Sequence, residues 1–227
     1  MRNKYLRLSI LLILICTSCT SLRLFHKNDA CKKNSIERSP IGRVIFADDF
    51  SDNNKKWNQI SNKEFQLVVT DGYLRIDKYN RNRVSNGCLW YKKAIDSLDT
   101  SRDFSISFDA RFIKGDDVAY SMDFEWGNLN DDFYQLNISP NGTVRLNRYS
   151  RLQKSRWSYL ISKYSQRIRK GTQYNRVTIR QQLDNCKIVI NDKLVIKYNV
   201  DRIPGNCIGF LDCLKVTWDM DNLEIRQ

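Results

Sequence analysis

The chain has 227 residues, of which 41% are hydrophobic and 28% charged, with only three prolines. This composition is typical of a globular protein and excludes a collagen-like or disordered chain. The formal net charge of +13 does not indicate nucleic-acid binding, because the charges fall into separate groups along the chain. Three basic residues lie near the N-terminus, eleven lie in the acid-free segment 133–183, and the other 24 nearly balance 25 acids. The sequence contains neither of the glycine-rich phosphate-binding motifs G-x-x-x-x-G-K-[ST] and G-x-G-x-x-G, so no nucleotide cofactor is indicated.

The N-terminus has the pattern of an export signal. Basic residues precede a short apolar run at 8–15 that is too short to cross a bilayer as a mature helix. The following pentapeptide at 15–19, Ile-Cys-Thr-Ser-Cys, resembles the lipobox of bacterial lipoproteins, with Cys16 where that motif usually has Leu. The resemblance implies cleavage after residue 18 and lipidation of Cys19, which attaches the chain to a membrane. The alternative is a secreted protein cleaved by an ordinary signal peptidase.

No acidic run follows Cys19, which favours the periplasmic face of the outer membrane over the cell surface. Residues 19–42 are polar and lack an apolar period, so they predict a lipidated tether followed by one domain at residues 43–227. Cys31 lies in the tether, and four more cysteines lie in the domain. A Cys207–Cys213 bridge across a short hairpin is one expectation for an oxidising compartment, and buried free thiols are the alternative. The only histidine, His26, lies in the tether, so a cysteine–histidine metal site is not indicated.

From residue 43 onward, short alternating or apolar runs are separated by turn residues. Turn sequences at 71–72, 140–142 and 191–192 each separate two such runs and predict β-hairpins. No window of about a dozen residues keeps a helical period, although residues 160–170 could hold a short helical turn. The domain is therefore predicted to be all-β, with about a dozen antiparallel strands in a two-sheet β-sandwich.

Four successive predicted strands between residues 104 and 149 have their apolar residues at even positions. Period-2 alternation turns those side chains toward the core. If the strands are neighbours, the odd positions form one polar face, with Ser105, Ser107, Asp109, Arg111, Ser121, Asp123, Glu125, Phe133, Gln135, Asn137, Arg145, Asn147 and Tyr149. Acids, amides, arginines and an aromatic edge are suited to sugar hydroxyls and to stacking on a pyranose ring. A solvated sheet face is the alternative.

The segment 149–170 interleaves basic and aromatic side chains and includes Arg156 and Trp157. Its length predicts a strand and an exposed loop at the rim of the sheet. Such side chains suit sulfated or uronic-acid glycans, lipid phosphates or an acidic protein, through bidentate hydrogen bonds and stacking. A solvated basic loop beside an anionic membrane surface is the alternative.

Several segments follow one another in a recognisable order: 46–52 with Trp57, 71–76, 104–112, 133–142, 188–192, 209–210 and 218–225. Together they resemble the concanavalin A-like lectin and glucanase superfamily, in its laminin-G-like bacterial branch. The resemblance implies a jelly roll whose concave sheet binds carbohydrate in lectins and accommodates polysaccharide in glucanases. Calcium is a recurrent structural ligand there, and oxygens for it could come from Asp48, Asp49, Asp219 and Asp221. Fold-closing hydrogen bonds explain these aspartates equally well.

The resemblance also provides a criterion for catalysis. Glucanases of this superfamily carry nucleophile and general acid on one strand as E-x-D-x-E, because retaining hydrolysis needs two carboxylates. At 121–125 this chain has Ser-Met-Asp-Phe-Glu, so Asp123 and Glu125 match while Ser121 stands at the nucleophile position. A neutral hydroxyl without a histidine base cannot replace a carboxylate. Retaining hydrolysis by Asp123 and Glu125 is therefore disfavoured, and otherwise these are two surface acids of the sheet.

The sequence thus predicts a membrane-anchored, non-catalytic binding lipoprotein that recognises a carbohydrate, including anionic glycans, or a partner protein. Its predicted ligand-binding residues are Asp123, Glu125, Gln135, Asn137, Arg145, Asn147, Tyr149, Arg156 and Trp157. One alternative is a polysaccharide-degrading hydrolase or lyase of the same fold, and another is a structural envelope protein that makes protein contacts only. No cofactor beyond structural calcium and no nucleic-acid partner is predicted.

Overall fold

A computed structural model describes residues 42–79, 88–115 and 121–227 of the protein. Cys19, His26 and Cys31, with the predicted signal and tether up to residue 41, lie outside the described residues. The described ranges contain fifteen strands and no helix, so the prediction of an all-β domain is confirmed. The helical turn expected at 160–170 is wrong, because a strand continues to Tyr164. No part of these ranges forms a helix long and apolar enough to cross a membrane.

In chain order the strands are β1 (Val44–Asp48), β2 (Ile60–Ser61), β3 (Phe65–Thr70), β4 (Tyr73–Lys78), β5 (Leu89–Ala94), β6 (Phe104–Gly115), β7 (Met122–Asn128), β8 (Asp132–Ile138), β9 (Thr143–Ser150), β10 (Trp157–Tyr164), β11 (Asn175–Gln182), β12 (Asn185–Ile190), β13 (Lys193–Asn199), β14 (Cys207–Asp212) and β15 (Val216–Arg226). They form two sheets. One has nine strands in the order β13-β12-β11-β6-β15-β4-β3-β2, with β1 also pairing with β15. The other has six strands in the order β10-β9-β8-β7-β14-β5.

The core lies between the two sheets and is filled from alternate positions of the strands. Phe108 of β6 and Phe124 of β7 stack with their ring centroids 4.7 Å apart, which joins the nine-stranded sheet to the six-stranded one. Phe210 of β14 and Trp218 of β15 make a second contact of this kind at 5.4 Å. All four side chains are fully buried. The period-2 pattern therefore identified the core-facing positions correctly.

The three predicted hairpins are present, and their turns explain the residues found there. Asp71 and Gly72 between β3 and β4 have φ values of 50° and 79°, and Asn191 and Asp192 between β12 and β13 have values of 49° and 62°. Two central residues with positive φ are typical of type I′ turns, whose twist matches that of paired strands. Asp, Asn and Gly adopt this backbone conformation at low cost, and for this reason they marked the hairpins in the sequence.

The expectation that β6 is a neighbour of β7 is wrong. β6 pairs with β11 and β15 in the nine-stranded sheet, whereas β7 pairs with β8 and β14 in the six-stranded sheet. The shared parity arose because both strands bury even positions against one core from opposite sides. The odd positions of β6 consequently lie on the far side of the molecule from β7, and these are Ser105, Ser107, Asp109 and Arg111.

The expected Cys207–Cys213 bridge is also wrong, since Cys88 and Cys213 form the disulfide. Cys207 begins β14 and Cys213 follows the end of that strand, so the residues between them are extended rather than turned. An extended segment of this length separates its ends by about 20 Å. Within the described residues Cys186 and Cys207 form no disulfide, and burial raises the pKa of Cys186 to about 12.

Candidate functional site

The candidate site lies on the outer face of the six-stranded sheet, the face turned away from the core. Glu125 of β7, Gln135 of β8 and Asn147 of β9 stand opposite one another and form one row across the strands. Asp123, Asn137 and Arg145 form the adjacent row. The structure thus brings together six of the nine residues predicted for ligand binding in two parallel rows on a single face.

A chain of hydrogen bonds links the row of Glu125, Gln135 and Asn147. Gln135 donates from Nε2 to Oε1 of Glu125 at 3.0 Å, and its own Oε1 accepts from Asn137 Nδ2 at 3.2 Å and from Asn147 Nδ2 at 3.3 Å. The second oxygen of Glu125 accepts a hydrogen bond from the indole N–H of Trp90 in β5 at 2.9 Å. These bonds fix the amide orientations, so the face presents an ordered array of donors and acceptors.

Aromatic rings cluster beside the polar rows, with Phe133 at their centre. The Phe133 ring stacks on Tyr149 at 4.9 Å and meets Trp157 edge-on at 5.7 Å. Trp90 approaches Phe133 from the opposite edge of the sheet at 6.2 Å, and Tyr149 contacts Trp157 at 5.3 Å. Phe133 is buried, whereas the indoles of Trp90 and Trp157 keep 44% and 42% of their surface exposed. The predicted residues Tyr149 and Trp157 therefore border the site with partly accessible rings.

A pocket of about 330 Å³ opens on this face, within the size range of small-molecule sites. Its walls come from five adjacent strands and combine polar, aromatic and aliphatic side chains, namely Asp123, Gln135, Asn147, Trp157, Ser158, Tyr159 and Leu211. Polar groups form its centre, and Trp157 with Tyr159 forms one end. This combination of convergent amides with aromatic walls suits a small polar ligand with an apolar side.

Two acids in this face have unusual protonation properties. Burial raises the pKa of Glu125 to about 7, although the hydrogen bonds from Trp90 and Gln135 act in the opposite direction. Burial likewise raises the pKa of Asp123 to about 7, opposed by hydrogen bonds from Ser121 and Asn137 and by the charge of Arg145. The two groups share one side of β7, so the charge of the site changes near neutral pH.

Ser121, Asp123 and Glu125 occupy the three acidic positions of the E-x-D-x-E motif, at the start of β7. Ser121 donates its hydroxyl hydrogen to Oδ1 of Asp123, so the residue at the nucleophile position supports its neighbour rather than facing open space. Glu125 is fully buried, and each of its carboxylate oxygens already accepts a hydrogen bond. Neither arrangement supplies the two accessible carboxyl groups on either side of a scissile bond that glycoside hydrolysis requires.

The basic segment, residues 149–170, contains β10, which is an edge strand of the six-stranded sheet. Largely exposed chain precedes and follows this strand. Arg151 is paired with Asp131, so an acid from another part of the chain neutralises one charge of the segment, and Arg148 just before the segment pairs with Asp132 and Asp201. Arg156 is exposed in the turn before β10, next to Trp157 of the pocket wall. The expected strand with an exposed loop at the rim is therefore present.

Four residues of this site were not among those predicted from the sequence: Trp90, Ser158, Tyr159 and Leu211. Trp90 of β5 and Leu211 of β14 are register partners on strands that lie far from β7 in the sequence. Alternation in β5 was a usable signal, since Leu89 and Tyr91 are buried while Trp90 is exposed. Which sheet β5 joins could not be read from that pattern.

The four aspartates considered for calcium do not form a metal site in the structure. Asp48 accepts hydrogen bonds from the Trp57 indole and the Phe50 backbone N–H, and Asp219 is fully buried between two arginines. The oxygens of Asp48 and Asp219 are thus used in hydrogen bonds within the protein. Across residues 42–79, 88–115 and 121–227, no group of three or more acidic, cysteine or histidine side chains is arranged to hold a metal.

No protein-family model matches the chain, and no curated protein matches it in sequence. Solved structures do match. A Bacillus subtilis protein of unknown function with a galectin-like fold has a TM-score of 0.62 at 12% identity, covering 82% of this chain and 97% of that one. A Bacillus licheniformis β-glucanase has a TM-score of 0.57 at 12% identity, with 82% and 99% covered. A non-specific endo-β-1,3(4)-glucanase of family GH16 has a TM-score of 0.54 at 10% identity, with 83% and 94% covered.

These matches confirm the predicted architecture, a two-sheet jelly roll of the kind found in glucanases and galectin-like proteins. The matching region spans nearly the whole length of each of these structures. Identities of 10–12% establish a common fold alone.

Proposed function

We propose that this protein binds carbohydrate on the outer face of its six-stranded sheet and does so without catalysing a reaction. The observation that carries the proposal is the pocket in which Asp123, Gln135 and Asn147 meet the aromatic side chains of Trp157 and Tyr159. Amides offer donor and acceptor side by side, as neighbouring sugar hydroxyls require. Aromatic rings offer large, rigid apolar surfaces for the apolar side of a pyranose.

The similar structures support carbohydrate as the ligand class. Two of them are glucanases, so this architecture accommodates carbohydrate in those proteins. The argument for the present chain rests on its own pocket, because a fold hosts many functions. A partner protein as ligand, which the sequence left open, has no comparable feature among the described contacts of this face.

Two contacts support binding without hydrolysis. Trp90 and Gln135 occupy both oxygens of Glu125, and this carboxylate has no exposed surface. Ser121 stands where retaining glucanases carry their nucleophile, and its hydroxyl is bonded to Asp123. Asp123 alone cannot act as both members of a carboxyl pair.

The proposal extends to anionic substituents at the rim of the site. Arg145 lies on the same face as the two polar rows, and Arg156 adjoins Trp157. A guanidinium binds a sulfate or uronate carboxylate through two parallel hydrogen bonds. The sugar ring would then lie over the amides, with its sulfate or carboxylate group directed to the arginines.

We further propose that the protein is an outer-membrane lipoprotein attached through Cys19 and facing the periplasm. The support is the order of basic residues, apolar run and lipobox-like pentapeptide in the sequence. The disulfide between Cys88 and Cys213 suits an oxidising compartment such as the periplasm. Metabolic labelling with a radioactive fatty acid tests the anchor, and label retained by a Cys19→Ala variant would contradict it.

A glycan array probed with the purified protein tests the binding proposal. Tyr159 is 61% exposed and lines the pocket, so Tyr159→Ala should lower affinity about tenfold without unfolding the domain. Tyr164 on the same strand is 68% exposed and lies outside the pocket, so Tyr164→Ala is the matched control. Silence of the wild-type protein on every glycan would refute the proposal.

Hydrolysis is tested separately on a panel of polysaccharides by assaying release of reducing ends. The proposal expects none from the wild-type protein. Release that is abolished in Glu125→Gln and Asp123→Asn would establish the enzymatic alternative instead.

A further inference from the structure

The indole N–H of Trp90, on the proposed binding face, donates a hydrogen bond to the buried carboxylate of Glu125. Glu125 is fully buried and accepts from Trp90 Nε1 at 2.9 Å and from Gln135 Nε2 at 3.0 Å. An indole N–H is only a donor. The amide of Gln135 has its donor end toward Glu125, because its oxygen already accepts from Asn137 and Asn147. Both partners therefore match the ionised form of Glu125.

The indole of Trp90 reaches Glu125 because the residue between them is a glycine without a side chain. This residue, Gly209, lies in β14, between the strands that carry Trp90 and Glu125. Gly209 of β14 is the register partner of Lys92 in β5 and of Glu125 in β7. A Cβ at this position would lie 2.6 Å from the Tyr91 carbonyl oxygen and 3.5 Å from Oε2 of Glu125. A side chain there would therefore occupy the space beside the indole–carboxylate bond.

Other groups hold the same indole but leave part of it accessible. Lys92 Nζ lies 4.2 Å from the Trp90 ring centroid and also donates to Asn130. Phe133 contacts the ring at 6.2 Å. Because 44% of Trp90 remains exposed, its orientation is expected to depend on these few contacts. The hydrogen bond to Glu125 is the only directional one among them, which makes it the contact that fixes the ring.

Charged groups surround Glu125 on the neighbouring strands. Asp123 of β7 and Asp212 of β14 add negative charge near Glu125 when they ionise, while Lys92 of β5 is positively charged and Arg145 of β9 acts on Asp123. No residue in the described part of the chain makes an ion pair with Glu125 within 4.0 Å. The ionised form is therefore stabilised mainly by the two neutral donors and is sensitive to their loss.

We propose that Glu125 is a positioning residue that holds Trp90 as a side wall of the binding face and releases it when the carboxylate takes up a proton. A protonated carboxyl carries its own O–H donor, directed toward groups that can only donate, so one of the two bonds weakens. Because burial raises the pKa of Glu125 to about 7, the release falls near neutral pH. The effect on glycan affinity rests on the proposed function; the effect on Trp90 does not.

Fluorescence tests the effect on Trp90 without any ligand. The signal of Trp90 is the difference between the emission of the wild-type protein and that of Trp90→Phe, recorded from about pH 5 to about pH 9. The inference expects this difference to change with a midpoint near pH 7, since that is where Glu125 titrates. The same difference in a Glu125→Gln background should not vary with pH. A pH-independent signal in the wild type, or an unchanged transition in Glu125→Gln, would overturn the inference.

Asp123→Asn is the matched control, because Asp123 lies on the same strand and titrates in the same range without contacting the indole. It should keep the transition of Trp90. Loss of the fluorescence transition in Asp123→Asn would assign the titration to Asp123 instead of Glu125. That result would also overturn the inference.

The glycan array repeated at about pH 5.5 and about pH 8 tests the effect on affinity. Glycans retained at the higher pH should lose about tenfold in affinity at the lower pH with the wild type and not with Glu125→Gln. If affinity is equal at both pH values while the fluorescence of Trp90 still changes with pH, Trp90 is not a wall of the site. Absence of binding at both would refute the proposed function while leaving the fluorescence result valid.

Discussion

Cys88 and Cys213 form a disulfide across two neighbouring strands of the six-stranded sheet, although 125 residues separate them in the sequence. Cys88 directly precedes β5, and Cys213 directly follows β14. These strands pair antiparallel with Leu89 opposite Asp212, so the bridge lies at one end of their ladder. The bridge therefore holds β5, the edge strand that carries Trp90, against the rest of the binding face.

Loss of this bridge should destabilise the domain. A loop of this length corresponds to about 4 to 5 kcal/mol in the chain-entropy model, and measured losses are commonly smaller. Cys88→Ser should therefore lower the melting temperature strongly under non-reducing conditions. Cys207→Ser, which removes a free thiol, is the control and should leave it nearly unchanged. A peptide map in which Cys207 rather than Cys88 is bridged to Cys213 would contradict the assignment.

Asp212 should make stability fall as pH rises. Its carboxyl is buried and accepts a hydrogen bond from Trp218 Nε1 at 3.0 Å, while Oδ1 has no hydrogen-bond partner among the described residues. Burial and the charges of Asp123 and Glu125 raise its pKa well above the ordinary value. Since the folded state retains a proton that the unfolded chain has released, stability present near pH 4 is lost progressively as pH rises toward the folded pKa.

Urea unfolding at about pH 5 and about pH 8 checks this expectation. Asp212→Asn should reduce the difference between the two pH values, because the amide cannot ionise. Asp192→Asn, at an exposed turn, should leave the difference unchanged. A pH dependence that is identical in the wild type and Asp212→Asn would show that Asp212 does not contribute.

Asp219 should be important for stability through its arginines rather than through a metal. It is fully buried and lies 2.9 Å from Arg75 Nε and 3.0 Å from Arg111 Nη2. Asp219→Ala would leave two partly buried guanidinium groups unpaired, at a cost of about 2 to 3 kcal/mol. Asp221→Ala is the control and should cost much less, because no arginine pairs with it among the described ion pairs.

Calcium removal should have no effect on the melting temperature if these aspartates act as hydrogen-bond acceptors. The Asp48 and Asp219 oxygens are already used within the protein. Melting curves with excess calcium and with a chelator should therefore coincide. A clear increase in melting temperature on adding calcium would contradict this account and revive the metal hypothesis.

Much of this architecture could be predicted from the sequence because local chemistry determines it. Alternation in Phe104, Ile106 and Phe108 gave the buried face of β6, and Asp71-Gly72 and Asn191-Asp192 marked their turns. Such patterns report whether a side chain faces the core. They do not report which sheet a strand joins, so β6 was wrongly placed beside β7.

The remainder of the site depends on pairings between distant parts of the chain. β14 lies between β7 and β5, although more than 70 residues separate it from either of them. Trp90 and Leu211 therefore reach the site only through tertiary structure. The same holds for the disulfide, because Cys88 and Cys213 become neighbours only once β5 and β14 are paired.

Arg145 should determine affinity for anionic glycans. It lies on the binding face beside Asn137 and opposite Ser162 of β10. Arg145→Gln should lower affinity for sulfated or uronic-acid glycans about tenfold and leave neutral glycans nearly unaffected, since only the charge pairing is lost. Lys170→Gln, which removes an exposed charge outside the two polar rows, is the control. Equal losses for neutral and anionic glycans would contradict the role assigned to Arg145.

The location of the site can be measured directly by NMR titration of the labelled protein with the glycan that scores highest on the array. The side-chain amide signals of Gln135, Asn137 and Asn147 lie on the outer face of the six-stranded sheet, and those of Asn191 and Asn222 line a pocket on the nine-stranded sheet. Carbohydrate binding at the six-stranded sheet should give saturable shifts for the first group and none for the second. Shifts confined to Asn191 and Asn222 would contradict the central claim that the six-stranded sheet binds carbohydrate.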